Sequence, residues 1–160
     1  MMMRAITPLT ITAGKSMKGI IATVVVSLLL AGCSATRPIS ADAAKPVPAN
    51  QIFAYSLPDA RTGTVVVTRD IGLSGSKCPV AFYVDGKVAA HVDTGQTMTL
   101  HVPSGSHIFG SGPAGTGVCG VVSRTAHLRE ASFDIVAGGT LKLRLGFTRD
   151  GTYQITPTAF

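Results

Sequence analysis

The chain has three cysteines, and the chemistry of each thiol depends on the residues around it. Cys33 ends the apolar stretch LLLAGC, whereas Cys78 and Cys119 lie beside the glycine-rich stretches GLSGSK and GSGPAGTG. A thiol can pair in a disulfide, carry a covalent group, ligate a metal or act as a nucleophile. The chain has no Cys-x-x-Cys motif, which disfavours a redox-active or metal-binding pair.

The segment before Cys33 has the layout of a secretory signal peptide. Lys15 and Lys18 precede about 13 apolar residues, which end on small residues. A spanning helix needs about 20 apolar residues, so the pattern favours export over a membrane span. The alternatives are a buried core helix and a short membrane anchor. The stretch before Lys18 is long for such a segment, and we expect the true start at Met17.

The residues Leu-Ala-Gly-Cys that end at Cys33 resemble the lipobox of bacterial lipoproteins. The resemblance implies cleavage before Cys33, a diacylglyceryl group on its thiol and an acylated amine, so that residues 1–32 are removed. One acyl chain binds membranes marginally, whereas two or more anchor stably. Ser34, where an Asp would favour the inner membrane, implies the outer membrane with the domain facing the periplasm.

The net charge of the part from Cys33 onward is too small to indicate a nucleic-acid-binding protein. The chain has 14 basic and 8 acidic residues, but Arg4, Lys15 and Lys18 precede the apolar run. The part from Cys33 onward therefore carries 11 basic and 8 acidic residues, about +3. A nucleic-acid-binding domain would show a clustered basic face.

The part after Cys33 divides into a tether and a domain. Residues 33–50 are rich in Ala, Pro and Ser and lack apolar periodicity, which predicts a flexible, semi-extended tether. Its 17 residues after Cys33 would span about 50–60 Å when extended. We expect the folded domain to cover residues 51–160.

The domain sequence alternates between apolar and polar residues, as half-buried strands do. This period predicts strands at 97–102, 130–135, 141–147 and 153–155, and fuller apolar runs predict further, more central strands at 51–55, 64–68 and 80–84. Asp85-Gly86 predicts a two-residue hairpin turn, and residues 103–106 and 150–151 predict two more turns. No segment has sustained helical periodicity. We expect an all-β domain: an antiparallel sandwich, immunoglobulin- or transthyretin-like, or a small barrel.

The stretch from residue 80 to residue 110 resembles uncharacterised β domains of proteobacterial lipoproteins and is similar to PEGA-type modules. The resemblance implies a sandwich with a surface role and no catalytic residues. The matching positions are Val84, Asp85, Gly86, Lys87, Pro103, Gly105 and His107.

With Cys33 lipidated, we expect Cys78 and Cys119 to form a disulfide, because an exported chain meets an oxidising compartment. In the chain-entropy model, this link would contribute roughly 3–4 kcal/mol. It would hold down two glycine-rich segments.

Other motifs are weaker candidates for chemistry. Residues 110–115 match Gly-x-Gly-x-x-Gly, but no helical pattern follows, so we expect a disulfide-tied loop and not a dinucleotide site. The chain lacks a Gly-x-Ser-x-Gly elbow. Zinc needs three or four convergent ligands, and we expect surface histidines and no metal. The four histidines are His91, His101, His107 and His127.

Lys142 and Arg144 alternate with leucines on one strand, and Arg149 follows nearby. This row is a candidate binding face for anionic lipid headgroups, lipopolysaccharide or peptidoglycan. The alternative is a solvated edge that deters sheet pairing.

Together these patterns predict a lipid-anchored envelope protein without enzyme activity or cofactor. Its domain would be a binding or structural module whose partner is the membrane itself, an envelope protein or a glycan. The alternatives are an inhibitor of an envelope enzyme, presenting the loop at 110–120, and a small envelope enzyme.

Overall fold

A computed structural model describes residues 36–72, 77–115, 119, 128–148 and 151–159. The segment predicted to be a signal peptide, and Cys33 after it, lie outside these residues. The described part contains two short 3-10 turns, Ala41–Ala43 and Ala49–Gln51, and nine strands. The strands are β1 (Lys45–Pro46), β2 (Thr62–Arg69), β3 (Val80–Val84), β4 (Lys87–Val92), β5 (Gln96–Pro103), β6 (Gly105–Pro113), β7 (Arg129–Ile135), β8 (Thr140–Phe147) and β9 (Tyr153–Pro157).

The strands form two sheets, in the orders β1-β5-β2-β8-β9 and β4-β3-β6-β7. Buried residues from both sheets form one core cluster, so the two sheets pack as a sandwich. The predicted all-β fold is confirmed. The purely antiparallel arrangement is wrong for the larger sheet, because β1 runs parallel to β5 and β2 runs parallel to β8. Period-two alternation places side chains on faces but does not fix strand direction.

The predicted alternation matches the observed burial. In β5, Met98, Leu100 and Val102 are at most 4% exposed, while Thr99 between them is exposed. Strand β2, predicted to be central, lies in the middle of its sheet and contributes Val65 to the core. Burying these side chains contributes roughly 1.5–3 kcal/mol each.

The predicted hairpin turn joins β3 to β4. Asp85 and Gly86 have φ values of 48° and 75°, the left-handed pair that a type I′ turn requires. The predicted turn after Pro103 is also present, but it is a corner: β5 belongs to the larger sheet and β6 to the smaller one. This corner brings β6 beside β3.

The prediction of a flexible tether at 33–50 is wrong for its described residues. Arg37 and Ile71 exchange two backbone hydrogen bonds of 2.8 and 3.1 Å. Next, β1 adds a short parallel strand to the edge of β5, and Val47 is buried in the core. The segment buries little apolar surface of its own, but its backbone donors and acceptors find partners on the domain. We call residues 36–55 the strap.

The second half of the strap crosses to the smaller sheet. The predicted strand at 51–55 is wrong: Ala49–Gln51 is a 3-10 turn, and Ile52 forms an isolated bridge with Ala90 of β4. The backbone N–H of Phe53 donates to the carbonyl of Ala89 at 2.8 Å. The strap therefore joins the edge of β5 to the edge of β4.

Candidate functional site

The two ends of the sandwich carry its polar clusters. The Asp70 end is formed by the last residues of β2 and β8 and the first residues of β3. The Asp85 end lies opposite and is formed by the β3–β4 turn and the β5–β6 corner. The pairings that define these ends are Arg69 with Leu145, Thr62 with Pro103 and Val80 with Pro113.

Asp70 is the centre of the first cluster, and its side chain is only 1% exposed. The guanidinium of Arg144 binds both carboxylate oxygens, with Nε donating to Oδ1 at 3.1 Å. The hydroxyl of Thr36 donates to Oδ2 at 3.1 Å and accepts the backbone N–H of Phe147 at 2.9 Å. The positive charge of Arg144 thus balances the negative charge of the Asp70 carboxylate, which is also hydrogen-bonded within the protein, as a buried charge requires.

Gly146 permits this packing. A Cβ atom on Gly146 would lie 2.7 Å from Oδ2 of Asp70 and 3.2 Å from Oγ1 of Thr36. Only a residue without a side chain therefore lets the strap and Asp70 approach this closely.

Arg69 points into the sandwich beside this cluster and is 1% exposed. One guanidinium nitrogen donates to the carbonyls of Cys78 and Val92, at 2.8 and 2.7 Å. Cys78 precedes β3 and Val92 ends β4, so Arg69 links the larger sheet to the smaller one.

The surroundings of Arg69 shift the pKa of its guanidinium. Burial lowers the pKa of Arg69 to about 10, opposed by the nearby Asp93 and Tyr153. The guanidinium carbon lies 5.6 Å from the ring centroid of Phe147, in cation–π range. Burial likewise raises the pKa of Tyr153, and Arg69 opposes this rise. Both groups keep their ordinary charge states near neutral pH.

The predicted disulfide is present at the same end. Cys78 and Cys119 are bonded, with their Cα atoms 5.5 Å apart. Since the Cys78 carbonyl also accepts from Arg69, the disulfide is fixed to the core.

The predicted basic face differs from the structure at Arg144. Its guanidinium, which either interpretation of the sequence left facing solvent or an external anion, is bound to Asp70, because β8 is parallel to β2 and ends beside it. Lys142 is exposed. Arg149 lies outside the described residues.

The second cluster lies at the Asp85 end and consists of residues from the family-like stretch. His107 Nδ1 lies 2.7 Å from Oδ2 of Asp85, and Nε2 lies 2.9 Å from the carbonyl of Pro103. The backbone N–H of Ile108 donates to Oδ1 of Asp85 at 2.9 Å. This N–H and His107 hold the pKa of Asp85 below its usual range, the backbone bond being the larger cause.

Two of those matching positions, Asp85 and His107, are therefore explained by one contact. Asp85 closes the turn before β4, and His107 follows the corner after β5. Their contact braces the turn against the corner. Both ring nitrogens of His107 are used in this brace, which leaves neither for a metal or substrate.

The glycine-rich motif is not a nucleotide loop. Gly110 and Gly112 lie within β6, packed against Tyr83 and Leu128. The exposed loop expected at 110–120 is wrong for Gly110–Pro113, which is buried strand, and residues 116–118 and 120 lie outside the described part.

The three described histidines do not converge on one point. His101 lies in β5 of the larger sheet, whereas His91 and His107 lie in β4 and β6 of the smaller one; His127 is outside the described residues. Within the part of the chain that is described, no three His, Cys, Asp or Glu side chains are grouped to hold a metal ion.

Surface depressions accompany both clusters. One of about 410 Å³ lies at the Asp85 end, lined by Asp59, Arg61, Thr62, Pro103 and Ser104. Its two charged residues form an exposed pair 3.5 Å apart. A cleft of about 200 Å³ between β7 and β9 is lined partly by Arg129, Glu130 and Tyr153.

Sequence reasoning missed Thr36, Arg69 and Asp70. A signal was available for Arg69, because it continues the inward-facing series of Val65 and Val67 in β2. Over the described ranges, no helix is long and apolar enough to cross a membrane. No protein-family model matches the chain, and searches of curated proteins and of solved structures gave no match either.

Proposed function

We propose that this chain is a lipid-anchored protein of the bacterial cell envelope, whose β-sandwich is a non-enzymatic binding or structural module. In this proposal Cys33 is the acylated first residue of the mature chain. The domain faces the periplasm from the outer membrane, as Ser34 implies.

The observation that carries the proposal is the pairing of the cysteines. The chain has three cysteines, and Cys78 and Cys119 are bonded to each other. This leaves Cys33, directly after LLLAG, with no cysteine partner in the chain. A disulfide is itself typical of an exported protein, so the pairing supports both the compartment and the anchor.

The internal bonding of the polar clusters supports a role without catalysis. Asp70 is saturated by Arg144 and Thr36, and His107 is saturated by Asp85 and a backbone carbonyl. A catalytic group must be able to reach a reacting atom. These groups instead hold the strap, the turn and the corner in place, which favours a structural role for them over a catalytic one.

The anchor is tested by metabolic labelling of the full chain in a Gram-negative host with an alkyne fatty acid. We expect label on the wild type, at Cys33 by mass spectrometry, and none on Cys33→Ala, which remains an unprocessed precursor.

The matched control is the double variant Cys78→Ser/Cys119→Ser, which removes two thiols but keeps Cys33. It retains the label if Cys33 is the acylated residue. A wild-type chain without label, or with Cys33 joined to a later cysteine, would reject the proposal.

A further inference from the structure

The path of the strap fixes where an anchor at Cys33 would meet the domain. Thr36 is held at the Asp70 end by Asp70 and Phe147. The next residue, Arg37, is held by its two backbone hydrogen bonds to Ile71. Only residues 34 and 35 therefore separate an anchor at Cys33 from the part of the chain that is held on the domain.

Three residue steps separate Cys33 from Thr36, and a fully extended chain covers at most about 3.6 Å per step, or about 11 Å. A free segment through residue 50 would reach about 50–60 Å. Packing of the strap on the domain thus removes most of the reach that the sequence indicated. An acylated Cys33 would hold Thr36 close to the lipid headgroups.

We propose that the Asp70 end of the sandwich is a docking surface that lies directly on the lipid bilayer, with the Asp85 end facing away from it. This inference rests on the proposed acylation of Cys33. It adds an orientation that the lipobox does not imply, because a lipoprotein with a free tether has no fixed face toward the membrane.

The charges of the described residues fit this orientation. Arg37 and Lys77 are exposed at the Asp70 end, and Lys45 is exposed where β1 pairs beside Gly95. The carboxylate of Asp70 is buried and bound by Arg144.

Among the described residues of this end, the remaining carboxylates are Asp93, half-buried near Arg69, and the exposed Asp42 and Glu130, the latter beside exposed Arg129 at the start of β7. Four exposed cations, Arg129 included, against two exposed carboxylates among these described residues favour contact with anionic headgroups.

The opposite end has the reverse balance. Asp59, Asp85 and Asp134 are exposed there, against Arg61 and Lys87. Strand β2 has eight residues, so the two ends are separated by about 26 Å. This separation exceeds the range of contact quenchers in the headgroup layer, which makes the orientation measurable.

The chain has no tryptophan, so one introduced tryptophan is an unambiguous probe. Lys77→Trp places it at the Asp70 end, and the matched variant Ser104→Trp places it at the Asp85 end. Both sites are exposed. Arg37→Trp is a second probe of the Asp70 end that keeps Lys77.

The full acylated protein is reconstituted into vesicles of phosphatidylethanolamine and phosphatidylglycerol that contain a headgroup spin-labelled lipid. We expect quenching at residues 77 and 37 to be at least threefold stronger than at residue 104. Circular dichroism confirms that each variant is folded.

Equal quenching at the two ends, in protein that mass spectrometry shows to be acylated and that floats with the vesicles, would overturn the docking surface and leave the anchor intact. Protein that carries no acyl group would instead reject the proposed function.

A second variant tests the short reach as the cause of the orientation. Insertion of 20 Gly/Ser residues after Ala35 gives a flexible tether with a root-mean-square length of about 25 Å. The difference in quenching should then fall by at least half, while flotation is unchanged. A difference that survives the insertion in full would overturn the short reach as its cause.

Discussion

The Asp70 end and the Asp85 end of the sandwich differ in how deeply their central aspartate is buried. Each end uses one aspartate to tie together segments that are distant in the sequence. The side chain of Asp70 is 1% exposed and that of Asp85 is 48% exposed. Asp70 holds the strap through Thr36, whereas Asp85 holds a turn through His107.

Burial decides how much each contact contributes to stability. Removing one partner of a buried ion pair leaves an uncompensated charge and costs about 3–5 kcal/mol. Exposed pairs contribute about 0.2–1 kcal/mol, because water screens them. The comparison therefore indicates that substitutions at the Asp70 end, where the strap begins, lower the stability of the domain more than substitutions at the Asp85 end.

The strongest test of this difference is Asp70→Asn, which keeps the shape and removes the charge. Because Arg144 is 29% exposed and regains some hydration, we expect the free energy of unfolding to fall by about 2–4 kcal/mol. The measurement is urea denaturation at pH 7, with Asp85→Asn as the matched control. The comparison fails if the two variants lose the same stability.

A smaller effect is expected for Thr36→Val, which removes the hydroxyl with little change in volume. The variant loses the bond to Asp70 and the acceptor of the Phe147 N–H, so unfolding free energy should fall by about 1–2 kcal/mol. Amide exchange at Arg37 should accelerate, because the start of the strap is released.

Thr99→Val is the control for Thr36→Val, since Thr99 is an exposed strand residue on β5. It should change neither stability nor exchange at Arg37. Unchanged protection of Arg37 in Thr36→Val would show that the backbone bonds to Ile71 hold the strap by themselves.

The sequence predicted those parts of the fold that local patterns determine. Alternation of apolar residues located β5 and β8, and Asp85-Gly86 located the β3–β4 turn. These signals are local, since a two-residue period and a left-handed dipeptide act within a few residues.

The strap could not be predicted in this way. Its sequence lacks periodicity because its contacts are mainly backbone hydrogen bonds to edges formed by other strands. Val47 is its one buried core residue, and Ile52 and Tyr55 pack against the core only in part. Composition describes what a segment can bury by itself, and here the partners come from elsewhere in the chain. The apolar run at 51–55 was misleading for the same reason: it crosses between sheets and does not extend one.

The candidate site was predictable only in fragments. The resemblance singled out Asp85 and His107 but not their contact, which depends on the β5–β6 corner carrying the chain to the other sheet. Arg144 was expected to be free, because nothing local shows that β2 and β8 run parallel and end together. Pairing between distant strands is the information that a single sequence lacks.

The smallest expected effect is the pH dependence at the exposed end. The folded pKa of Asp85 is lowered, so its contribution to stability is fully present above the unfolded pKa of about 3.8 and is lost as pH falls through the folded value. Above pH 5 the free energy of unfolding of the wild type should exceed that of Asp85→Asn by about 0.2–1 kcal/mol. This difference should shrink steadily below pH 4. Urea titrations of both proteins from pH 7 to pH 3 measure it. A difference that stayed constant to pH 3 would mean that the contact of Asp85 depends on the shape of its side chain and not on its charge. The two aspartates would then stabilise the domain by different mechanisms as well as by different amounts.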